Sequence, residues 1–261
     1  MNLYDDPQVY DVLYTPGTAR ECDVLERIAR RWVRTPAARP VWLEPACGSG
    51  RYLRVLARRG HRLQGFDRDA GMVRYARAQA PRARVFTADL LDFAAAVRPQ
   101  PVDFAFNLFN TIRHLETDAA LLTHFAQMAQ VLRPGGVYAV GLSFTAYGQE
   151  LMDEDVWEGR RGALHIRQVA QYLPPGSWES GRLAARPSRR PRFERVISHM
   201  RITRGARVED VDTHYDLRCY DARQWRSLVS RSALQPVATL DMTGRPVTGR
   251  PPYALELLGR R

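Results

Sequence analysis

The chain has 261 residues, 45% of them hydrophobic, and a net charge of +11, which suits one large α/β domain, alone or with an appendage. No stretch approaches the roughly 18 unbroken apolar residues of a bilayer span, and the opening MNLYDDPQVY, acidic and aromatic, does not read as a secretory signal. Cys22, Cys47 and Cys219 have neither metal-ligand nor disulfide spacing, so no metal centre and a reduced, cytoplasmic compartment are expected.

Tyr4, Tyr10 and Tyr14 lie in LYDDPQVYDVLY, ahead of a helical run from Thr18 to Val33. Val41-Trp42-Leu43 is then a short apolar run that breaks at Glu44-Pro45-Ala46-Cys47-Gly48-Ser49-Gly50. From Arg51 the apolar residues fall at Tyr52, Leu53, Val55, Leu56 and Ala57, a helical spacing that Gly60 ends. Leu63 to Phe66 is a second apolar run, closed by Asp67. Strand, Gly-rich turn, helix, strand and acid together predict a nucleotide site at the carboxyl ends of parallel strands. Gly48 and Gly50 allow close approach to the backbone, the helix start offers free N–H groups, and Asp67 is placed to accept from two vicinal ribose hydroxyls. A dinucleotide fingerprint G-x-G-x-x-G fails, because counting from Gly48 the third glycine falls on Leu53.

Asp69 is a candidate N-cap for the next helix. Ala83 to Ala88 reads as a third strand, closed by Asp89-Leu90, with Asp89 alternatively a cap for a helix over Leu91 to Val97. Val102 to Phe109 is nearly all apolar, as a strand buried on both faces should be, and leads into Asn107, Asn110, Thr111 and His114. A helix from Thr117 to Leu132 follows, then Leu132-Arg133-Pro134-Gly135-Gly136 and a fifth strand, VYAVGLS.

Glu44-Pro-Ala-Cys-Gly-Ser-Gly, with Ala46 in place of a first glycine, resembles the first motif of the class I S-adenosylmethionine (SAM)-dependent methyltransferases. The L-R-P-G-G turn about 85 residues downstream is similar to a second marker of that family. The resemblance implies an α/β fold: a Rossmann-like seven-stranded sheet with helices on both faces, plus an antiparallel β lid inserted after strand five. It divides the chain into an N-terminal cap over the cofactor (1–40), a SAM-binding core (41–143), a basic β lid (144–218) and a C-terminal helix and strand pair (219–261). The implied cofactor is S-adenosylmethionine, released as S-adenosylhomocysteine (SAH). Carried over position by position, its binding residues are Tyr10, Tyr14, Glu44, Ala46, Gly48, Gly50, Asp67, Arg68, Met72, Asp89, Leu90 and Asn107. Glu44 would face the methionine ammonium, Arg68 and Met72 the adenine, and Asp89 the adenine amino group. Tyr10 and Tyr14 are equally readable as packing aromatics of a capping helix.

His114, near the exit of strand four, is the candidate general base, against a simple capping or packing role. His165, His199 and His214 fall in the lid, where alternation could turn one or two inward. Glu150, Asp153, Glu154 and Asp155 read as a solvated hinge, or as partners of lid arginines. The chain has no Lys, and between Gly159 and Arg207 twelve Arg face only Glu179 and Glu194. That charge fits a small acidic substrate, an RNA backbone under the Arg186 to Arg192 loop, or plain solvated arginines. The N/D-P-P-Y/F motif of base-amino methyltransferases is absent at Asn107-Leu-Phe-Asn110. The reading is methyl transfer to N or O of a small molecule. RNA or protein methylation, and SAM binding without catalysis, are the alternatives. A membrane partner is not expected, and the oligomeric state is left open.

Overall fold

The computed structural model describes residues 5–34, 37–97, 101–177, 192–249 and 251–261. Two short helices, α1 (Pro7–Tyr14) and α2 (Thr18–Trp32), precede the alternating unit β1 (Val41–Pro45), α3 (Arg51–Arg58), β2 (Arg62–Asp67), α4 (Ala70–Gln79) and β3 (Arg84–Thr87). Then come β4 (Val102–Asn107), α5 (Asp118–Val131) and β5 (Leu132–Ser143). Four strands follow, β6 (Asp153–Arg161), β7 (Leu164–Leu173), β8 (Phe193–Arg204) and β9 (Arg207–Arg218), and the described chain closes with α6 (Ala222–Ser230), β10 (Leu234–Leu240) and β11 (Tyr253–Arg260).

The large sheet has seven strands in the order β10-β11-β5-β4-β1-β2-β3. β1 pairs in parallel with both β2 and β4, so the strand order reverses beside it and opens a crevice at the carboxyl ends. β11 runs antiparallel to β5 and β10. One face of the sheet packs Ala105, Phe93, Phe125, Met128 and Trp225; the other packs Phe104, Phe106, Leu25, Leu53, Leu56 and Ala76. β4 contributes alternate residues to both layers, which is why its sequence is almost wholly apolar. The helix starts carry local caps: Asp69 accepts from the Met72 N–H on α4, Thr117 caps α5, and Asp221 with Gln224 forms a capping box on α6.

The second sheet is antiparallel, in the order β6-β7-β8-β9. Its apolar face (Leu164, Ile166, Met200, Ile202, Val211) packs on Val9, Val12 and Leu13 of α1. At Gly159 a Cβ would stand 2.1 Å from the Val12 carbonyl oxygen, so only glycine lets β6 come this close to α1.

Several sequence expectations need correction. Leu91 to Val97 forms turns rather than a helix; Asp89 instead accepts from the Leu91 N–H, an Asx turn. β4 stops at Asn107, because Phe109 and Asn110 take left-handed backbone angles (φ 53 and 63). Arg133 to Gly136 is a bulged start of β5: Val102 pairs with Leu132, and the next pairing joins Phe104 to Val137. Asp153 to Asp155 belong to edge strand β6, not to a hinge. Of the Arg186 to Arg192 run, only Arg192 lies within the described residues.

Candidate functional site

The crevice beside β1 is built by the turn into α3. Ala46, Gly48 and Gly50 have φ of 51, 51 and 72. Gly50 is doubly constrained, since a Cβ there would also lie 2.9 Å from the Ala76 Cβ of α4. Ala46 takes the left-handed region at a cost glycine would not incur. Asp67, at the end of β2, accepts from the Gly48 N–H (2.8 Å) through Oδ2 and from the Asp69 N–H (3.0 Å) through Oδ1. Burial pushes its carboxyl up, against the pull of those two backbone donors.

Glu44 ends β1 and is only 6% exposed. Burial pushes its carboxyl well above the ordinary value; Arg51 works against the shift and Asp67 adds to it. Its Oε2 has no hydrogen-bond partner. Asn107, 2% exposed at the end of β4, donates to the Pro45 carbonyl (2.9 Å), and its Oδ1 is likewise without a partner. The two orphaned acceptors line one small, open-mouthed cleft, with Tyr10, Ala46, Arg51 and Thr111 on its walls. Buried acceptors without donors are costly, so this wall is complementary to a cationic group bearing several N–H bonds.

Tyr10 lies over the turn: a Cβ on Gly48 would be 3.3 Å from its Cε1. Burial pushes its phenol up to about 12. Tyr14 does not line that cleft; its hydroxyl donates to Gln168 of β7 (2.8 Å), whose amide donates in turn to Ser198 (2.7 Å). Met72 is buried at the start of α4, and Arg68 is exposed. Asp89 is exposed beside Leu90, whose carbonyl accepts from Nδ1–H of the core residue His124 (2.9 Å).

His114 ends a 3-10 turn, Thr111–His114, and its ring centroid stands 5.5 Å from that of Tyr215 on β9. It stands between core and lid, outside the wall that Glu44 and Asn107 share. Water reaches it, but surrounding protein, and then the Arg68 and Arg113 charges, bring its pKa down to about 4. It is therefore neutral at physiological pH.

The lid residues read otherwise than the sequence suggested. His165 and His199 lie on the outer face, paired with Glu158 (2.7 Å) and Asp212 (2.8 Å), and His214 is exposed, so none of the three turns inward. Glu154 accepts from Gln171 (3.2 Å), a cross-strand amide rather than a lid arginine. Three of the lid arginines pair with carboxylates just beyond the basic stretch: Arg195 with Asp216 (2.8 Å), Arg201 with Asp210 (2.7 Å) and Arg207 with Glu209 (3.4 Å). Arg192 and Arg218 share Asp118, which ties the lid base to α5. Arg51 is a cleft residue that the sequence reading missed. As the first residue of α3, directly after Gly50, its position was the available signal; it donates to the Tyr14 carbonyl (2.9 Å) and Glu21 (2.8 Å).

Sheet order, glycine turn and acid-tipped β2 define a class I SAM-dependent methyltransferase fold. Residues 43–136 match the family described as "Methyltransferase domain". A dTDP-3-amino-3,6-dideoxy-alpha-D-glucopyranose N,N-dimethyltransferase of Streptomyces fradiae is 32% identical over 121 residues, which is 46% of this chain and 45% of that protein. The match thus spans about half the length of that curated relative. Among solved structures, DesVI of Streptomyces venezuelae has a TM-score of 0.75 at 18% identity, covering 100% of this chain and 99% of its own. The sugar N-methyltransferase KedS8 of Streptoalloteichus gives 0.72 at 19% identity, over 100% and 95% of the two chains. SAM-bound CalS10, an amino pentose methyltransferase from Micromonospora echinaspora, gives 0.69 at 19%, over 100% and 99%. These structural likenesses concern the fold. Among the described residues no helix is long and apolar enough to cross a membrane.

Proposed function

We propose that this chain transfers a methyl group from SAM to an amino nitrogen of a small sugar carried on a nucleoside diphosphate. The observation that carries the cofactor assignment is the pair of orphaned buried acceptors, Glu44 Oε2 and Asn107 Oδ1, on one wall of the cleft. A methionine ammonium supplies the donors they lack. Asp67 holds the ribose diol, the N–H groups of the Gly48 turn meet the methionine end, Tyr10 closes over it, and Met72, Arg68, Asp89 and Leu90 flank the adenine. Tyr14 acts at one remove, by fixing α1 against the lid. The cofactor contributes the activated methyl, an electrophilic carbon on a sulfonium.

The protein's own work is to hold the acceptor nitrogen in line with that methyl and to keep water away, for which Tyr10 of α1 lies over the Gly48 turn. An amine must be unprotonated to attack and must lose a proton once methylated. His114 is the candidate to take that proton; with its pKa brought down to about 4 it passes the proton on to the water that reaches it rather than keeping it. The choice of nitrogen over oxygen, and of an amino sugar, rests on the Streptomyces fradiae relative and on the substrate named for CalS10. Against the RNA alternative stand the missing N/D-P-P-Y/F motif at Asn107 to Asn110 and the carboxylate pairing of Arg195, Arg201 and Arg207; of the loop expected to cover an RNA backbone, Arg186 to Arg190 lie outside the described residues.

Calorimetry with SAH, followed by mass spectrometry of a panel of nucleoside-diphosphate amino sugars incubated with SAM, tests the proposal. SAH binding and a one-methyl mass gain on an amino sugar are expected. Absence of SAH binding would overturn the cofactor assignment; SAH binding with methylation of RNA alone would overturn the substrate.

A further inference from the structure

Asp11 lies on α1, one residue after Tyr10, and its side chain is fully buried. Five donors converge on its carboxylate. Arg54 of α3 reaches both oxygens (3.0 and 3.2 Å), and Arg161 at the end of β6 reaches Oδ2 (2.7 Å). Tyr75 of α4 donates to Oδ2 (3.0 Å), and Thr15 (3.2 Å) and Ser49 (3.1 Å) to Oδ1. Ser49 stands between Gly48 and Gly50, inside the turn assigned to the cofactor. One carboxylate therefore touches the arm, the cofactor turn, two core helices and the lid.

The packing makes this junction mechanically important. α1 has eight residues, too few to persist by itself. Its apolar residues Val9, Val12 and Leu13 join a cluster whose other buried members all belong to β7, β8 and β9. Arm and lid thus form one apolar body, and none of the core sheet's residues enters that cluster. The arm is fastened to the core by polar atoms: the Asp11 junction and the Arg51 bond to the Tyr14 carbonyl. Burial pushes the Asp11 carboxyl up, but the bonds from Arg54 and Arg161 outweigh it and hold the group below the usual carboxylate range. The charge is thus kept and neutralised from both sides of the crevice.

We propose that Asp11 is a positioning residue: a clasp that latches the arm-and-lid body onto the cofactor turn, sets Tyr10 over Gly48, and must open for the nucleoside product to leave. The proposal rests on the cofactor assignment above. Its prediction concerns release rates rather than the chemical step.

The decisive variants are Asp11→Asn and Arg161→Ala. Arg161 has a 42% exposed side chain, so truncating it cuts the lid side of the clasp and leaves little buried polar surface unpaired. SAH dissociation measured by stopped flow is expected to quicken about tenfold in Arg161→Ala and more in Asp11→Asn, as suits loss of a charge-assisted bond. Amide exchange of residues 7–14 should rise in both, while exchange in β1 and β4 stays as in the parent. A structural defect alone would speed exchange throughout. If the parent binds SAH and Arg161→Ala releases it at the parent rate with the arm equally protected, the clasp is overturned, even where Asp11→Asn fails to fold. If the parent itself binds no SAH, the cofactor assignment fails first and the clasp falls with it.

Discussion

Asp67 Oδ2 lies 2.8 Å from the backbone nitrogen of Gly48, so the acid that closes β2 also braces the turn that leaves β1. Two neighbouring strands are thereby tied at their carboxyl ends by a single side chain, whose second oxygen takes the Asp69 N–H. Asp67→Ala removes both that brace and the proposed acceptor for the ribose diol. Its SAH affinity is expected to fall roughly 10- to 100-fold by calorimetry, the worth of one or two bonds to a charged group. An unchanged affinity would remove Asp67 from the site.

Glu44 offers a test with a sign. Its carboxyl is raised in the folded protein by burial, so the stability it contributes is present below the unfolded carboxylate pKa of about 4.3 and is lost as pH rises toward the folded value. Glu44→Gln cannot ionise, and the apo variant should lose this part of the decline and melt a few degrees higher than the parent under alkaline conditions. An ammonium in the cleft favours the ionised form, so SAH should stabilise the parent more than the variant, with an affinity difference of about 10- to 100-fold. Equal stabilisation of both proteins by SAH would place the ammonium elsewhere.

The parts of the molecule that were legible in the sequence are those with local periodicity. The change from the run Val41–Leu43 to helical spacing after Gly50, and then to Leu63–Phe66, marks β1, α3 and β2 because each buries a defined face against the same sheet. β6 was missed because residues 153–156 are all exposed, so an edge strand carries no alternation there. The outward histidines were readable in principle: apolar Ile166 and Ala170 share one parity in β7, which sends His165 to the other face. Asp11 was beyond any local pattern, as its two guanidinium partners lie 43 and 150 residues away. The lid charge was overstated for a simpler reason: Glu209, Asp210 and Asp216, which pair with three of its arginines, begin just after Arg207.

Arg113 precedes His114 in the turn after β4, and its side chain is 1% exposed. It donates to the Arg218 carbonyl (2.8 Å) and pairs with Glu194 (3.3 Å), so it pins the lid base against the exit of strand four. Arg113→Ala leaves that carbonyl and a partly buried carboxylate without a cation. A destabilisation of about 3 kcal/mol is expected from denaturant titration, at the low end for a broken buried pair because Glu194 keeps some contact with water. A loss below about 1 kcal/mol would show that the lid base is held by Arg192, Arg218 and Asp118 instead.

Two histidines, His124 in the core and His114 between core and lid, separate stability from turnover. His124 is wholly buried, with Nδ1–H on the Leu90 carbonyl and Nε2 accepting from the Tyr138 hydroxyl, and burial lowers its pKa to about 4. An unfolded histidine titrates near 6.5. Above that pH both states are neutral and the fold keeps its full stability. As pH falls from 6.5 toward 4 the unfolded chain binds a proton that the native ring refuses, so stability drops, by on the order of 3 kcal/mol for this ring. His114 has the same direction, but solvent reaches it and its share is a fraction of that. His124→Gln should flatten the decline measured between pH 7 and pH 4.5, whereas His114→Gln should change it little. For turnover the order reverses: His114→Gln is expected to lower kcat about 100-fold with SAH affinity nearly intact. Full turnover in that variant would mean that solvent takes the proton directly and that His114 only packs against Tyr215.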